Sequence, residues 1–194
     1  MGAVSVVTHS PEETRILGAA LAPLLIPGDV ISLTGDLGAG KTVFVQGLAG
    51  ALGVESRVTS PSFIIVREYR GRYPLVHIDV YRLNSFQEVL DLGFDELLDP
   101  EAILAVEWGE AVAPMLPLRY LEVEIRSSPG RVGDDRVLVF RPRGDEWRRK
   151  LEGMRVTAET LLDAMSPEES TGERFTDVPD RGPREWTGPP DAGQ

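Results

Sequence analysis

The chain has 194 residues, 42% of them hydrophobic and 26% charged, which suits one domain with a real core. Zero cysteines exclude a disulfide scaffold or a thiol-ligated metal and fit a reducing cytosol, and a net charge of −11 argues against holding nucleic acid by phosphate neutralisation alone. "MGAVSVV" lacks the basic start of a signal peptide, and the apolar run from Ile16 to Ile26 is too short to span a bilayer, so a soluble, cytoplasmic protein without a membrane partner is expected.

In chain order, "SVVTHS" reads as a short strand. "SPEETRILGAALAPLL" follows, with Ser10 as N-cap, Pro11 at the first helical position and Glu13 three residues after the cap; this predicts a helix over about 11–22. "DVISLTGDLGAGKTVFVQGLAGALG" gives a strand at 30–34, a glycine loop, and a helix ending near Leu52. Two strands are expected at 63–70 and 74–80, joined by a turn around Gly71. "SFQEVLDLGFDELL" supplies one or two short helices, and "ILAVE" is a strand ending in Glu107. "RYLEVEIRS" and "RVLVFRPR" alternate apolar and polar residues, as a half-solvated antiparallel pair at a sheet edge would.

These elements predict an α/β fold, a P-loop NTPase-like three-layer sandwich with a mixed, mostly parallel sheet and an antiparallel edge. Residues 1–150 would form the domain, and 151–165 a C-terminal helix within the longer helical pattern that starts near Asp145. From Ser166 to Gln194 the chain holds five prolines, four glycines and seven acids, so an acidic disordered tail is expected there.

Residues 35–42, "GDLGAGKT", match G-x-x-x-x-G-K-[ST] once, after a predicted strand and before a predicted helix. Glycines at 35, 38 and 40 let successive N–H groups turn inward on a phosphate, and the helix that begins near Lys41 adds its positive end. Lys41 would bridge the β- and γ-phosphates and the Thr42 hydroxyl would hold Mg²⁺. Only two lysines occur, 41 and 150, against eighteen arginines, so a compact point charge is kept at the loop. A guanine-reading N-K-x-D motif is impossible because Asn84 is the only asparagine, which favours ATP.

Such a site needs an acid at the end of a buried strand, and both Asp79 in "PLVHIDV" and Glu107 in "AILAVE" qualify. "TSPSF" at 59–63 offers three hydroxyls, readable as a plain polar turn or as a nucleotide-sensing switch. His77 reads as a packed strand residue.

"GDLGAGKT", "TSPSF", "HIDVYRL", "LGFDELL" and "VEWGE", in this order over about residues 5–142, resemble the TsaE (YjeE) family of bacterial P-loop ATPases. The resemblance implies ATP and Mg²⁺ as cofactors. It implies TsaD and TsaB as a heterodimeric partner, and through them tRNA, whose adenosine 37 is threonylcarbamoylated in tRNAs reading ANN codons. The ATP cycle would reset that complex between turnovers, and the isolated chain would hydrolyse ATP weakly. Carried onto this sequence, Leu37, Gly38, Ala39, Gly40, Lys41 and Thr42 would bind the phosphates, with Thr42 and Glu107 as the Mg²⁺ positions. Asp79 matches a second essential acid, Trp108 a required tryptophan, and Ser62 stands where most members carry threonine. Pro11 and Arg131 resemble positions close to the nucleotide. Two other readings compete: a small-molecule P-loop kinase, and a nucleotide-gated binding module with little hydrolysis.

Overall fold

Side chains alternate between the two faces of a strand, so the sheet order decides which residues reach the site. The computed structural model describes residues 2–61, 65–81, 88, 93–127, 135–165 and 174–182. Its elements are β1 (Ala3–Thr8), α1 (Pro11–Leu21), β2 (Val30–Thr34), α2 (Lys41–Ala51), β3 (Val66–Arg70) and β4 (Pro74–Asp79). There follow α3 (Phe94–Leu97), β5 (Ile103–Glu107), β6 (Tyr120–Ser127), β7 (Arg136–Arg143), α4 (Asp145–Met165) and β8 (Phe175–Val178). The expected short helix around 85–92 falls, Glu88 apart, outside the described residues.

The strands form one mixed sheet in the order β3-β4-β5-β2-β6-β7-β1-β8. β4, β5, β2 and β6 run parallel to one another, and antiparallel strands flank this core on both sides. This is the expected α/β architecture. α1, α2 and α4 cover one face over Ile31, Leu33, Val123 and Phe140, while Phe94, Val112 and Leu116 cover β4 and β5 on the other. Among the described residues no helix is long and apolar enough to cross a membrane.

The start of α1 is set by its caps. Ser10 Oγ accepts from Glu13 N–H at 3.2 Å, and the Glu13 carboxylate accepts from His9 N–H at 2.7 Å, one residue earlier than an ideal capping box. α1 lies unusually close to α2: a Cβ on Gly47 would stand 1.9 Å from the Arg15 carbonyl oxygen, so only glycine fits there.

Three expectations change. First, a division at residue 150 falls inside α4, which buries Trp147, Leu151, Met154, Ala158 and Leu162 at spacings of three and four residues. Lys150 pins this helix to the start of β2, its ammonium 2.6 Å from each Asp29 carboxylate oxygen. Second, the stretch expected to be disordered contributes β8, which pairs with β1 from Val6↔Phe175 to Ala3↔Val178. Phe175, 1% exposed, gives an otherwise acidic segment one large apolar anchor and thereby offsets its ordering entropy. Residues 166–173 and 183–194 lie outside the described residues.

Third, β6 and β7 pair antiparallel as expected but sit inside the sheet, and their polar face is not half-solvated. Glu122 and Glu124 are each 2% exposed because Arg141 reaches both, at 3.2 and 2.7 Å. Burial alone would push the Glu124 carboxyl up, but the hydrogen bonds from Arg141 and Arg126 outweigh it and hold it below the usual range. Replacing Arg141 by methionine should cost about 3 kcal/mol, the lower end for a broken buried pair, because Arg143 and Arg126 still face the two acids. Urea unfolding of the variant measures this.

Candidate functional site

Three parallel strands end together. Leu33 and Asp79 are both in register with Glu107, so the loop after β2 and two strand-terminal carboxylates meet at one edge of the sheet. The carboxyl ends of parallel strands are where ligands bind in such sheets.

The loop's path is dictated by its glycines. Gly35 has φ 128°, and a Cβ there would stand 2.0 Å from the Ile125 carbonyl oxygen of β6. Gly40, at φ 111°, caps the eleven-residue α2, whose first-turn N–H groups face the loop. Leu37 is 73% exposed at the tip. Lys41, by contrast, is 4% exposed and folds back, donating to the carbonyls of Gly35 at 2.7 Å and Asp36 at 2.9 Å. Its ammonium lies 3.8 Å from the centre of the Trp108 ring. Burial holds Lys41 below an ordinary lysine, against the upward pull of Glu107, Glu110, Asp79 and Asp36. An arriving anion would relieve that burial penalty.

Thr42 Oγ donates to Glu107 Oε1 at 2.7 Å, bridging α2 and β5. Asp79 lies beside them: Ser60 Oγ donates to its Oδ2 at 2.5 Å, and the Tyr81 N–H donates to its Oδ1 at 3.0 Å. Trp108 leaves β5 in the left-handed region, φ 61° and ψ 37°, at a cost of about 1–2 kcal/mol for a residue with a side chain. That twist turns its ring toward Lys41 and onto Tyr81, 5.1 Å between ring centres. Strain of this kind, held at the mouth of a site, is where function is to be sought.

A cavity of about 420 Å³ joins these groups, lined by residues 37–43 together with Ser60, Asp79, Tyr81, Glu107 and Trp108. A smaller one, about 90 Å³, adjoins the loop's other side and is lined by Pro11, Thr14, Val43 and Arg136 among others. Arg136 Nε donates to the Ala39 carbonyl at 3.1 Å. Among the described residues no cluster of three or more His, Asp or Glu side chains forms a metal cage. One hydroxyl and one carboxylate, all-oxygen and open to the cavity, suit instead a small hard cation completed by water and a ligand's phosphates.

Of the residues singled out from sequence, the loop, Lys41, Thr42, Asp79, Glu107 and Trp108 converge on the large cavity, and Pro11 lines the small one. Ser62 and Arg131 lie outside the described residues. Sequence reading counted Ser60 among the switch-like hydroxyls of "TSPSF" but not its contact with Asp79, and it missed that the His77 ring reaches Glu107. Strand alternation was the available signal for His77, since 77 and 79 share a face with 105 and 107 in parallel register.

The family model described as "Threonylcarbamoyl adenosine biosynthesis protein TsaE" matches residues 8–134. A tRNA threonylcarbamoyladenosine biosynthesis protein TsaE of Bacillus subtilis is 41% identical over 147 residues, covering 75% of this chain and 89% of the relative. One from Treponema pallidum is 41% identical over 120 residues, 62% of this chain and 89% of the relative. The crystal structure of Bacillus subtilis YdiB superposes with a TM-score of 0.67 at 35% identity, covering 78% of this chain and 93% of that one. The family match ends before α4 and β8 begin.

Proposed function

The chain belongs to the TsaE family, and from that membership we propose that it is the ATP-hydrolysing component of tRNA threonylcarbamoyladenosine synthesis. It would dock on a TsaD–TsaB heterodimer, meet tRNA only through that complex, and reset the complex between turnovers at the expense of ATP. The observation that carries this reading is the 2.7 Å contact between Thr42 and Glu107 at the mouth of the glycine loop. A hydroxyl and a strand-end carboxylate side by side at the loop support a phosphate-bound cation there.

In this mechanism the N–H groups of residues 38–42 receive the phosphates, and Lys41 shifts part of its hydrogen bonding from the Gly35 and Asp36 carbonyls to phosphate oxygens. Thr42 and Glu107 would hold Mg²⁺, which when bound neutralises charge on the phosphates. Thr42 donates its hydroxyl hydrogen bond to Glu107, so its oxygen lone pairs remain available for a cation. Asp79, oriented by Ser60 and the Tyr81 N–H, would position the attacking water, a role Ser62 could share. Trp108 and Tyr81 line the cavity and would screen bound phosphates from part of the solvent. Pro11 and, by family resemblance, Arg131 would lie close to the nucleotide.

Reconstitution with TsaD and TsaB tests the proposal. Without this chain, threonylcarbamoylation should stop after about one turnover per complex; with it and ATP, turnover should continue, and the chain's own ATPase should rise on mixing. No gain beyond the first turnover would sink the proposed role.

A further inference from the structure

His77 is completely buried in the middle of β4, 0% exposed, where an imidazole gains nothing from water. Directly across the β4–β5 ladder stands Ala105, whose small side chain leaves room for the ring to lean along the strand toward Glu107. His77 Nε2 lies 2.8 Å from Glu107 Oε1, while Nδ1 is buried without a hydrogen-bond partner among the described residues. The Nε2–H therefore faces the carboxylate and donates a hydrogen bond to it. Thr42 donates to the same oxygen, Oε1, so that oxygen is doubly occupied. Glu107 Oε2 has no hydrogen bond among the described residues, and Glu107 lines the large cavity.

We infer that His77 is a positioning residue: it locks the rotation of the Glu107 carboxylate so that Oε2 is presented to the cation. The inference rests on the proposed ATP–Mg²⁺ reading of the site. A carboxylate held by Thr42 alone would turn about its terminal bond whenever the hydroxyl moved. A second donor from an immobile, fully buried ring removes that freedom before any ligand arrives. Outer partners of this kind fix the orientation of metal-binding groups, and their loss costs about 10–100-fold in metal affinity.

The test measures binding of a fluorescent ADP analogue to the full chain, titrated with Mg²⁺ and repeated in EDTA. His77→Leu keeps the volume and removes the donor; His77→Gln keeps an N–H at nearly the same reach. Expected is an unchanged affinity in EDTA for both variants. The Mg²⁺ concentration for half-maximal enhancement should rise at least about 10-fold in His77→Leu and stay within about 3-fold of wild type in His77→Gln. If the leucine variant does not fold, His77→Asn replaces it, because its shorter amide cannot reach Glu107. Wild-type Mg²⁺ dependence in the donor-free variant overturns the inference alone, as does equal loss in His77→Gln. Wild-type protein that binds no nucleotide, or binds it without regard to Mg²⁺, overturns the reading of the site and the inference with it.

Discussion

Lys41→Ala should reduce ATP turnover by about 10²–10³-fold and weaken nucleotide binding by at least about 10-fold, while leaving the melting temperature unchanged or raised. The two halves of that result come from one fact. Lys41 is buried deeply enough that desolvation holds it below an ordinary lysine despite four acids around it, so the free protein gains little from keeping the charge. The ammonium is stored for a ligand. Lys41→Arg should fail to rescue either binding or turnover. The site fits a compact head between the Gly35 and Asp36 carbonyls, with the Trp108 ring closing the third side at 3.8 Å. A planar guanidinium satisfies forks, not this pocket. Nucleotide titration by calorimetry, with phosphate release and thermal melts on the same samples, decides it; an arginine variant of wild-type affinity would contradict the account.

What could be read from the sequence was what is local. Ser10 and Pro11 mark the start of α1, and the glycine spacing marks the loop, because caps and left-handed turns depend on residues a few positions apart. Glu107 and Asp79 were legible as carboxylates ending apolar runs, once the loop had created a need for them. The contacts of His77 and Ser60 were not, since each depends on a partner the fold brings near: His77 on Glu107, thirty positions on, and the switch-like hydroxyl of Ser60 on Asp79. The same limit explains β6 and β7. Their alternation matches a solvated face, and nothing within either strand tells that Arg141 will bury Glu122 and Glu124 by pairing with both. β8 was hidden for the opposite reason. Its composition is that of a disordered tail, and a single phenylalanine together with the free edge of β1 outweighs it.

Glu107→Gln separates charge from shape at the centre of the site. The glutamine carbonyl can still accept from Thr42 and His77, which both meet Oε1, so the fold and the loop should survive and nucleotide binding in EDTA should be equal or tighter. What disappears is the negative charge beside the proposed cation, and Mg²⁺-dependent hydrolysis should fall by about 10²–10³-fold. Thr42→Ala, which removes the other oxygen, should cause a comparable loss. The double variant then carries the decisive information. Two groups that hold one cation act as a unit, so once either has gone the second substitution should add little, and the combined loss should be close to that of the worse single variant. Losses that multiply across the double variant would mean that Thr42 and Glu107 serve separate steps, and the 2.7 Å contact between them would be only a structural tie between α2 and β5.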